Sequence, residues 1–181
     1  MNDRITRVWL PRGFSGALLA IPICLAIWNV GIAAEDDADS KFLLEKEPKG
    51  ALDVVAVRKA AKDQQDVVVV GRIGGRKNPW VKGFAAFPIV DRKLTPCSEI
   101  EGDTCKTPWD YCCEANLPQA TVLVLFVDEN GKMIKKDARA LLHVKELQTV
   151  VVKGKARRDK AGNVTIMASK LHIRPDKKAT E

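Results

Sequence analysis

Four cysteines lie close together in the 181-residue chain, within the stretch CSEIEGDTCKTPWDYCC. They are Cys97, Cys105, Cys112 and Cys113, and a fifth, Cys24, stands alone in an apolar N-terminal run. Clustered thiols can form disulfides, hold a soft metal ion or take part in thiol exchange. The cellular compartment of the protein and the spacing of the cysteines must decide among these three kinds of chemistry.

Two disulfides are the first interpretation of the cluster. Adjacent cysteines rarely bridge each other, so Cys112 and Cys113 would each pair with either Cys97 or Cys105. Closing a loop of about 15 residues contributes on the order of 3 kcal/mol to stability. A metal site made by the same four cysteines is the alternative, although zinc-binding cysteines usually lie two to four residues apart. Thiol exchange has the least support, because the stretch contains no C-x-x-C motif and no histidine.

Basic residues are concentrated in two other segments, and the formal net charge of the chain is +7. The predicted ligand-binding residues in and beside these segments are Arg72, Arg76, Lys77, Trp80, Lys82, Arg157, Arg158 and Lys160. Cations beside a flat ring can contact phosphates and stack bases, so the sequence predicts binding of single-stranded nucleic acid or an acidic polysaccharide. A solvated surface is the competing interpretation, because cations at strand ends also keep sheet edges soluble.

Catalytic groups are scarce. His143 lies in a segment with helical character and His172 in the last predicted strand, and neither has a nucleophile or metal ligand that the sequence reveals. A solvated loop tip explains the acidic residues of the cysteine stretch better than a cation site does; these are Glu99, Glu101, Asp103, Asp110 and Glu114. The sequence therefore predicts a protein that is not an enzyme and that has no cofactor.

The N-terminal segment predicts export. Three arginines precede the apolar run ALLAIPICLAIW, and small residues follow at Gly31, Ala33 and Ala34, as at a signal-peptidase site. An uncleaved membrane anchor over residues 13–34 is the alternative, because 22 residues can cross about 30 Å of hydrocarbon. Both alternatives place the rest of the chain outside the cytoplasm, in the periplasm or the medium. Membrane contact is expected only if the segment is uncleaved.

Composition divides the chain into four parts. Residues 1–34 are the signal peptide or anchor, 35–49 a charged linker, 50–175 a single folded domain, and 176–181 a charged tail. Within the linker, only residues 42–44 form an apolar patch that could pack against the domain.

The pattern of the folded part is mainly β. Strands are predicted over residues 67–73, 83–90, 121–127, 150–156 and 164–173, with a helix over 136–147 and a short helix over 51–63. This order predicts a five-stranded OB-fold-like Greek-key barrel, with the helix between strands 3 and 4 and a Cys-rich insertion, residues 91–119, between strands 2 and 3. Such barrels bind ligands on strands 2 and 3 and the flanking loops, where the basic segments fall.

Two phrases of the sequence resemble a known kind of domain. VVVVGRIGGR and VVVKGKARRDKAGNVTIMASKLHI resemble the first strand and the closing hairpin of OB-fold domains of the nucleic-acid-binding, anticodon-binding type. With the export segment and TPWDYCC, the chain is similar to uncharacterised exported bacterial OB-fold proteins. The resemblance implies a non-catalytic binding module. The alternative is a disulfide-stapled structural domain, or one that binds a protein partner through its Cys-rich loop.

Overall fold

The computed structural model describes residues 39–175. The predicted signal or anchor segment, Cys24, the first residues of the predicted linker and the predicted tail at 176–181 lie outside the described residues. Within residues 39–175, no helix combines the length and the apolar character that a membrane span requires.

Within residues 39–175, the regular structure includes six strands and two short α-helices. The strands are β1 (Leu52–Asp53), β2 (Asp66–Ile73), β3 (Ala86–Val90), β4 (Thr121–Phe126), β5 (Thr149–Arg158) and β6 (Val164–Ile173). The α-helices are α1 (Val54–Ala60) and α2 (Ala138–Leu142), and 3-10 turns cover Cys97–Glu99 and Leu117–Ala120. Valine-rich runs form the strands because branched side chains pack well on a pleated surface.

Strands β2 to β6 close into a barrel. β2 pairs antiparallel with both β3 and β5, β3 pairs antiparallel with β4, β4 pairs parallel with β6, and β6 pairs antiparallel with β5. Each barrel strand therefore has two neighbours, and α2 lies between the third and fourth of them in the chain. This is the OB-fold arrangement, so the predicted fold class is confirmed.

The barrel interior is filled by alternate side chains of its strands. Buried members from the strands include Val69, Ile73, Phe87, Ile89, Val122, Val124, Phe126, Val150, Val152, Ile166 and Leu171. Phe42, which precedes the predicted folded domain, joins this core and meets Phe126 edge to face, with ring centroids 5.7 Å apart. Leu43 forms a parallel bridge to Leu171 of β6, so residues 42–44 pack on the barrel.

Both predicted helices are shorter than the sequence pattern indicates. The expected helix over 51–63 begins only at Val54, because Leu52 and Asp53 pair in parallel with β2 and form β1. The expected helix over 136–147 ends at Leu142. His143 adopts a left-handed conformation with φ of 53°, which terminates α2. α2 also begins two residues later than expected, at Ala138, and the side chain of Asp137 caps it by accepting a hydrogen bond from the backbone N–H of Arg139.

A buried carboxylate holds the start of α1. Asp91 follows β3 and is fully buried; its Oδ2 accepts a hydrogen bond of 2.8 Å from the backbone N–H of Val55, and its Oδ1 accepts one of 3.1 Å from Lys93 N–H. Asp53, which precedes α1, instead pairs with Arg92 at 2.7 Å. The helix is therefore capped from a distant strand end rather than by its own first residue.

Candidate functional site

A groove runs along the outer face of β4 and β6, and we call it the β4–β6 groove. One part encloses about 290 Å³ and is lined by Leu123, Leu125, Arg157, Asp159, Asn163, Thr165 and Met167. The adjoining part encloses about 430 Å³ and is lined by Arg58, Gly75, Arg76, Leu117, Pro118, Thr121, Leu123, Asn163, Val164 and Thr165. Because the parts share Leu123, Asn163 and Thr165, Arg76 and Arg157 border one continuous surface.

The floor of the β4–β6 groove follows from strand alternation and register. Along β4, Val122, Val124 and Phe126 are buried inside the barrel, so Leu123 and Leu125 lie on its outer face. The parallel pairing with β6 sets Leu123 opposite Thr165 and Leu125 opposite Met167. The outward-facing side chains of β4 and β6 therefore form two adjacent rows, and most of these side chains are aliphatic.

Several predicted ligand-binding cations are exposed, and two of them, Arg76 and Arg157, line this groove. Arg76, Lys77 and Lys82 are exposed in the loop between β2 and β3, Arg157 is exposed near the end of β5, and Lys160 is exposed in the turn before β6. Arg58, which sequence analysis did not single out, also lines the groove, and its Nη1 donates a hydrogen bond of 2.8 Å to the carbonyl oxygen of Thr121. Arg58 lies in α1, and only the folded structure shows that it lines the groove.

Two predicted binding arginines are engaged in structural contacts. The guanidinium of Arg72 pairs with both carboxylate oxygens of Glu99, at 3.1 and 2.5 Å. The guanidinium of Arg158 donates to the carbonyl oxygens of Arg58, Ala61 and Gly162, at 2.5, 2.9 and 3.0 Å respectively. Arg158 therefore holds the end of α1 against the β5–β6 hairpin.

The predicted stacking ring is enclosed. Trp80 is only 9% exposed; its Nε1 donates a hydrogen bond of 2.6 Å to Glu146 Oε1, and the guanidinium carbon of Arg139 lies 5.4 Å from its ring centroid. Phe87 is buried in the core, and Phe84 is half-buried. Trp109 is also half-buried, and no aromatic side chain lines the β4–β6 groove, so the groove offers charge and aliphatic area rather than a stacking platform.

The four thiols of the cysteine stretch come together and carry no disulfide in this structure. The Sγ atoms of Cys97 and Cys112 are 3.3 Å apart, and those of Cys112 and Cys113 are 3.9 Å apart. The sulfurs of Cys97, Cys105 and Cys112 all lie within 4.8 Å of one another. Cys97 is buried, Cys105 is half-buried, and Cys112 and Cys113 are exposed. We call Cys97, Cys105 and Cys112 the thiol cluster.

The cysteine stretch packs against the basic loop after β2. Trp109 Nε1 donates a hydrogen bond of 3.2 Å to the carbonyl oxygen of Lys77, and Gly75 N–H donates one of 3.3 Å to the carbonyl oxygen of Trp109. A Cβ at Gly74 would lie 2.5 Å from that Trp109 oxygen, so only glycine permits this approach. The Cys-rich insertion therefore supports one side of the predicted ligand site.

Burial sets the ionisation of two groups in this stretch. It raises the pKa of the Cys97 thiol to about 11 and the pKa of the Tyr111 hydroxyl to about 12. Tyr111 is fully buried, and its hydroxyl is without a hydrogen-bond partner among the described residues. Hydrogen bonds between Cys105 and the side chain and backbone of Thr107 instead lower the pKa of the more accessible Cys105 thiol.

Other groups that sequence analysis considered have structural roles. His143 caps α2 and is exposed, and His172 Nδ1 lies 2.9 Å from the carbonyl oxygen of Leu44. Among the acidic residues, Asp103 accepts from Cys105 N–H, and Glu114 accepts from Thr95 N–H. These carboxylates order the loop backbone.

The closed barrel defines an OB-fold-like domain with a groove along one side. No protein-family model and no curated protein sequence matches the chain. Among solved structures it is similar to the hypothetical protein ygiW from E. coli, with 16% sequence identity, a TM-score of 0.38 and coverage of 70% of this chain and 94% of that one.

Two aspartyl-tRNA synthetase structures are also similar to the chain. The putative enzyme from Leishmania major Friedlin has 9% identity and a TM-score of 0.44, with 76% of this chain and 24% of that chain covered. The enzyme from Entamoeba histolytica has 10% identity and a TM-score of 0.41, with 74% and 24% covered. The chain thus spans about a quarter of the length of either synthetase chain.

Proposed function

We propose that this protein is an exported, non-catalytic OB-fold module that binds an anionic polymer in the β4–β6 groove. The observation that carries the proposal is the position of Arg76 and Arg157. Arg76 comes from the loop after β2 and Arg157 from the last residues of strand β5, yet they line adjoining parts of one groove. Exposed guanidinium groups on a shared surface can contact successive negative charges along a chain.

The surroundings of the two arginines favour an extended ligand. Lys77 and Lys82 are exposed in the same loop as Arg76, and Lys160 is exposed beyond Arg157. Asp159 also lines the groove, but its carboxylate accepts hydrogen bonds from the backbone and side chain of Asn163. The carboxylate of Asp159 therefore makes these hydrogen bonds within its own turn.

The floor of the groove suggests how the polymer is recognised. Leu123, Leu125 and Met167 offer aliphatic contact to sugar rings, whereas Trp80 is enclosed. Because no aromatic ring lines the groove, affinity comes from backbone charges and binding tolerates any base sequence. Single-stranded nucleic acid and acidic polysaccharide both present such charges.

The non-catalytic part of the proposal is supported by the two histidines. His143 terminates a helix, and His172 contacts a backbone carbonyl.

Export is supported by the order of arginines, apolar run and small residues near the N-terminus. Recovery of a secreted or periplasmic chain that starts near Ala34 would support it, and recovery from the cytoplasm alone would contradict it.

Polymer binding is tested by titrating a labelled single-stranded oligonucleotide and a labelled acidic polysaccharide at several salt concentrations. For single strands, each neutralised phosphate contributes about −0.7 to the slope of log affinity against log salt. We therefore expect Arg76→Ala and Arg157→Ala each to reduce the magnitude of the oligonucleotide slope by about 0.7 and to weaken binding of either polymer.

Lys46→Ala provides the matched control, because Lys46 is exposed but lies outside the residues that line the groove. It should bind like the unsubstituted chain. Absence of retention for both polymers, or equal losses for Lys46→Ala and Arg157→Ala, would contradict the proposal. The first result would favour a structural or protein-binding domain.

A further inference from the structure

We propose that the thiol cluster of Cys97, Cys105 and Cys112 binds one thiophilic metal ion of the Zn²⁺ class. This goes beyond polymer binding and does not depend on it. The ion would lie beside the 3-10 turn at Cys97–Glu99, on the side of the Cys-rich insertion where Cys112 is exposed.

The separations of the sulfurs match a shared ion. Zinc binds thiolates at about 2.3 Å, which places two sulfurs of a tetrahedral site roughly 3.8 Å apart. The Cys97 and Cys112 sulfurs are 3.3 Å apart, and all three sulfurs of the cluster lie within 4.8 Å of one another. Small side-chain adjustments would therefore bring three thiolates onto one centre.

A disulfide explains this arrangement less completely. It joins two sulfurs at about 2.05 Å, so a bridge between Cys97 and Cys112 would leave Cys105 only Cys113 as a partner, and Cys113 is outside the group of sulfurs that lie within 4.8 Å of one another. Cys113 is close to Cys112, at 3.9 Å, but these neighbours in the chain rarely bridge each other. Three sulfurs in mutual reach are what one metal ion requires.

The backbone around the thiol cluster is already organised. Cys97 N–H donates a hydrogen bond of 2.9 Å to the carbonyl oxygen of Asp110, and Ser98 N–H donates one of 3.0 Å to that of Pro108. Cys105 N–H donates one of 3.1 Å to Asp103 Oδ2. These contacts hold the three cysteines of the loop near one another before any ion arrives, which lowers the ordering cost of binding.

Binding requires no oxidant. As each sulfur–metal bond forms, the thiol releases its proton to solvent, and the fourth position on the ion is left for a water molecule. The compartment that the N-terminus predicts favours oxidation of free thiols, so a pair of disulfides is the competing arrangement.

The test uses protein expressed from the full coding sequence and purified after whatever N-terminal processing the cell performs. After reduction and metal removal under anaerobic conditions, it is titrated with Zn²⁺ in competition with a chromophoric chelator, and with Cd²⁺ to follow thiolate-to-metal charge transfer. We expect one ion per chain. Cys105→Ser and Cys112→Ser should each weaken binding by at least about 100-fold, because loss of an outer contact to a ligand already costs about 10–100-fold.

Cys113→Ser is the matched control and should bind the ion like the unsubstituted chain. Cys97 is buried, so Cys97→Ser can fail to fold, and the conclusion rests on Cys105→Ser and Cys112→Ser, whose unfolding midpoints are measured in parallel. Three results each overturn the proposal: no binding by the reduced chain, equal weakening in Cys113→Ser and Cys112→Ser, or an intact mass lacking two hydrogens per bridge in the protein as recovered.

Discussion

Arg157 and Arg158 are neighbours in the sequence, but the structure gives them different tasks, and replacing each by alanine separates these tasks. Arg157 is exposed and lines the β4–β6 groove. Arg158 directs its guanidinium to the carbonyl oxygens of Arg58, Ala61 and Gly162. We expect Arg158→Ala to destabilise the fold and Arg157→Ala to weaken polymer binding without destabilising it.

The size of the first effect follows from the contacts of Arg158. Hydrogen bonds that involve a charged group contribute about 1.5–3 kcal/mol each, but these share one partly exposed side chain, so we take their joint loss as about 2–3 kcal/mol. The α1 carbonyls also lose a cation that favours a helix C-terminus. For a domain of roughly 100–150 residues, this lowers the melting temperature by roughly 6–15 °C. Arg157→Ala should change stability by less than about 0.5 kcal/mol.

Thermal unfolding followed by circular dichroism measures the change in stability, and the salt-dependent polymer titration measures the change in binding. Both are applied to the unsubstituted chain, Arg157→Ala and Arg158→Ala. Arg158→Lys is an added control, because lysine keeps the charge but not the planar fork. It should restore only part of the lost stability.

Two results would refute this reasoning. If Arg158→Ala melts within about 2 °C of the unsubstituted chain, the carbonyl contacts do not stabilise the end of α1. If Arg157→Ala melts as low as Arg158→Ala, the exposed arginine also has a structural task. In either case the division between the two neighbours would be wrong.

Three further outcomes are expected. Asp91→Ala should lower the free energy of unfolding in urea by about 2 kcal/mol, since it leaves a backbone N–H of α1 unpaired, whereas Asp91→Asn should lose less. Tyr111→Phe should leave stability unchanged or raise it by about 1 kcal/mol, because it removes a buried hydroxyl with no partner within residues 39–175; a clear loss would reveal a missed contact. Arg72 lowers the pKa of Glu99 below its ordinary value, so Glu99→Gln should destabilise the protein at neutral pH, and this difference should vanish as acid protonates Glu99; a difference that persists near pH ~2 would contradict the ion-pair explanation.

The sequence by itself determined the fold class. Alternation and valine-rich runs located the five barrel strands, because a side chain's face on a strand depends only on its position along that strand. The boundaries of the helices were less predictable. α2 is cut short by the left-handed His143, and Leu52 and Asp53 of the predicted first helix extend the sheet as β1.

Only the tertiary structure decided what the basic and sulfur-containing residues do. Arg157 and Arg158 are the same type of residue. Only the packing of α1 against the β5–β6 hairpin engages the guanidinium of Arg158 in structural contacts and leaves Arg157 lining the groove. Trp80 looks like a stacking ring in the sequence, but it is buried and its Nε1 donates a hydrogen bond to Glu146, which is distant along the chain. The cysteines are already clustered in the sequence, but only the backbone contacts within their loop decide that Cys97, Cys105 and Cys112 are the three whose sulfurs lie within 4.8 Å of one another.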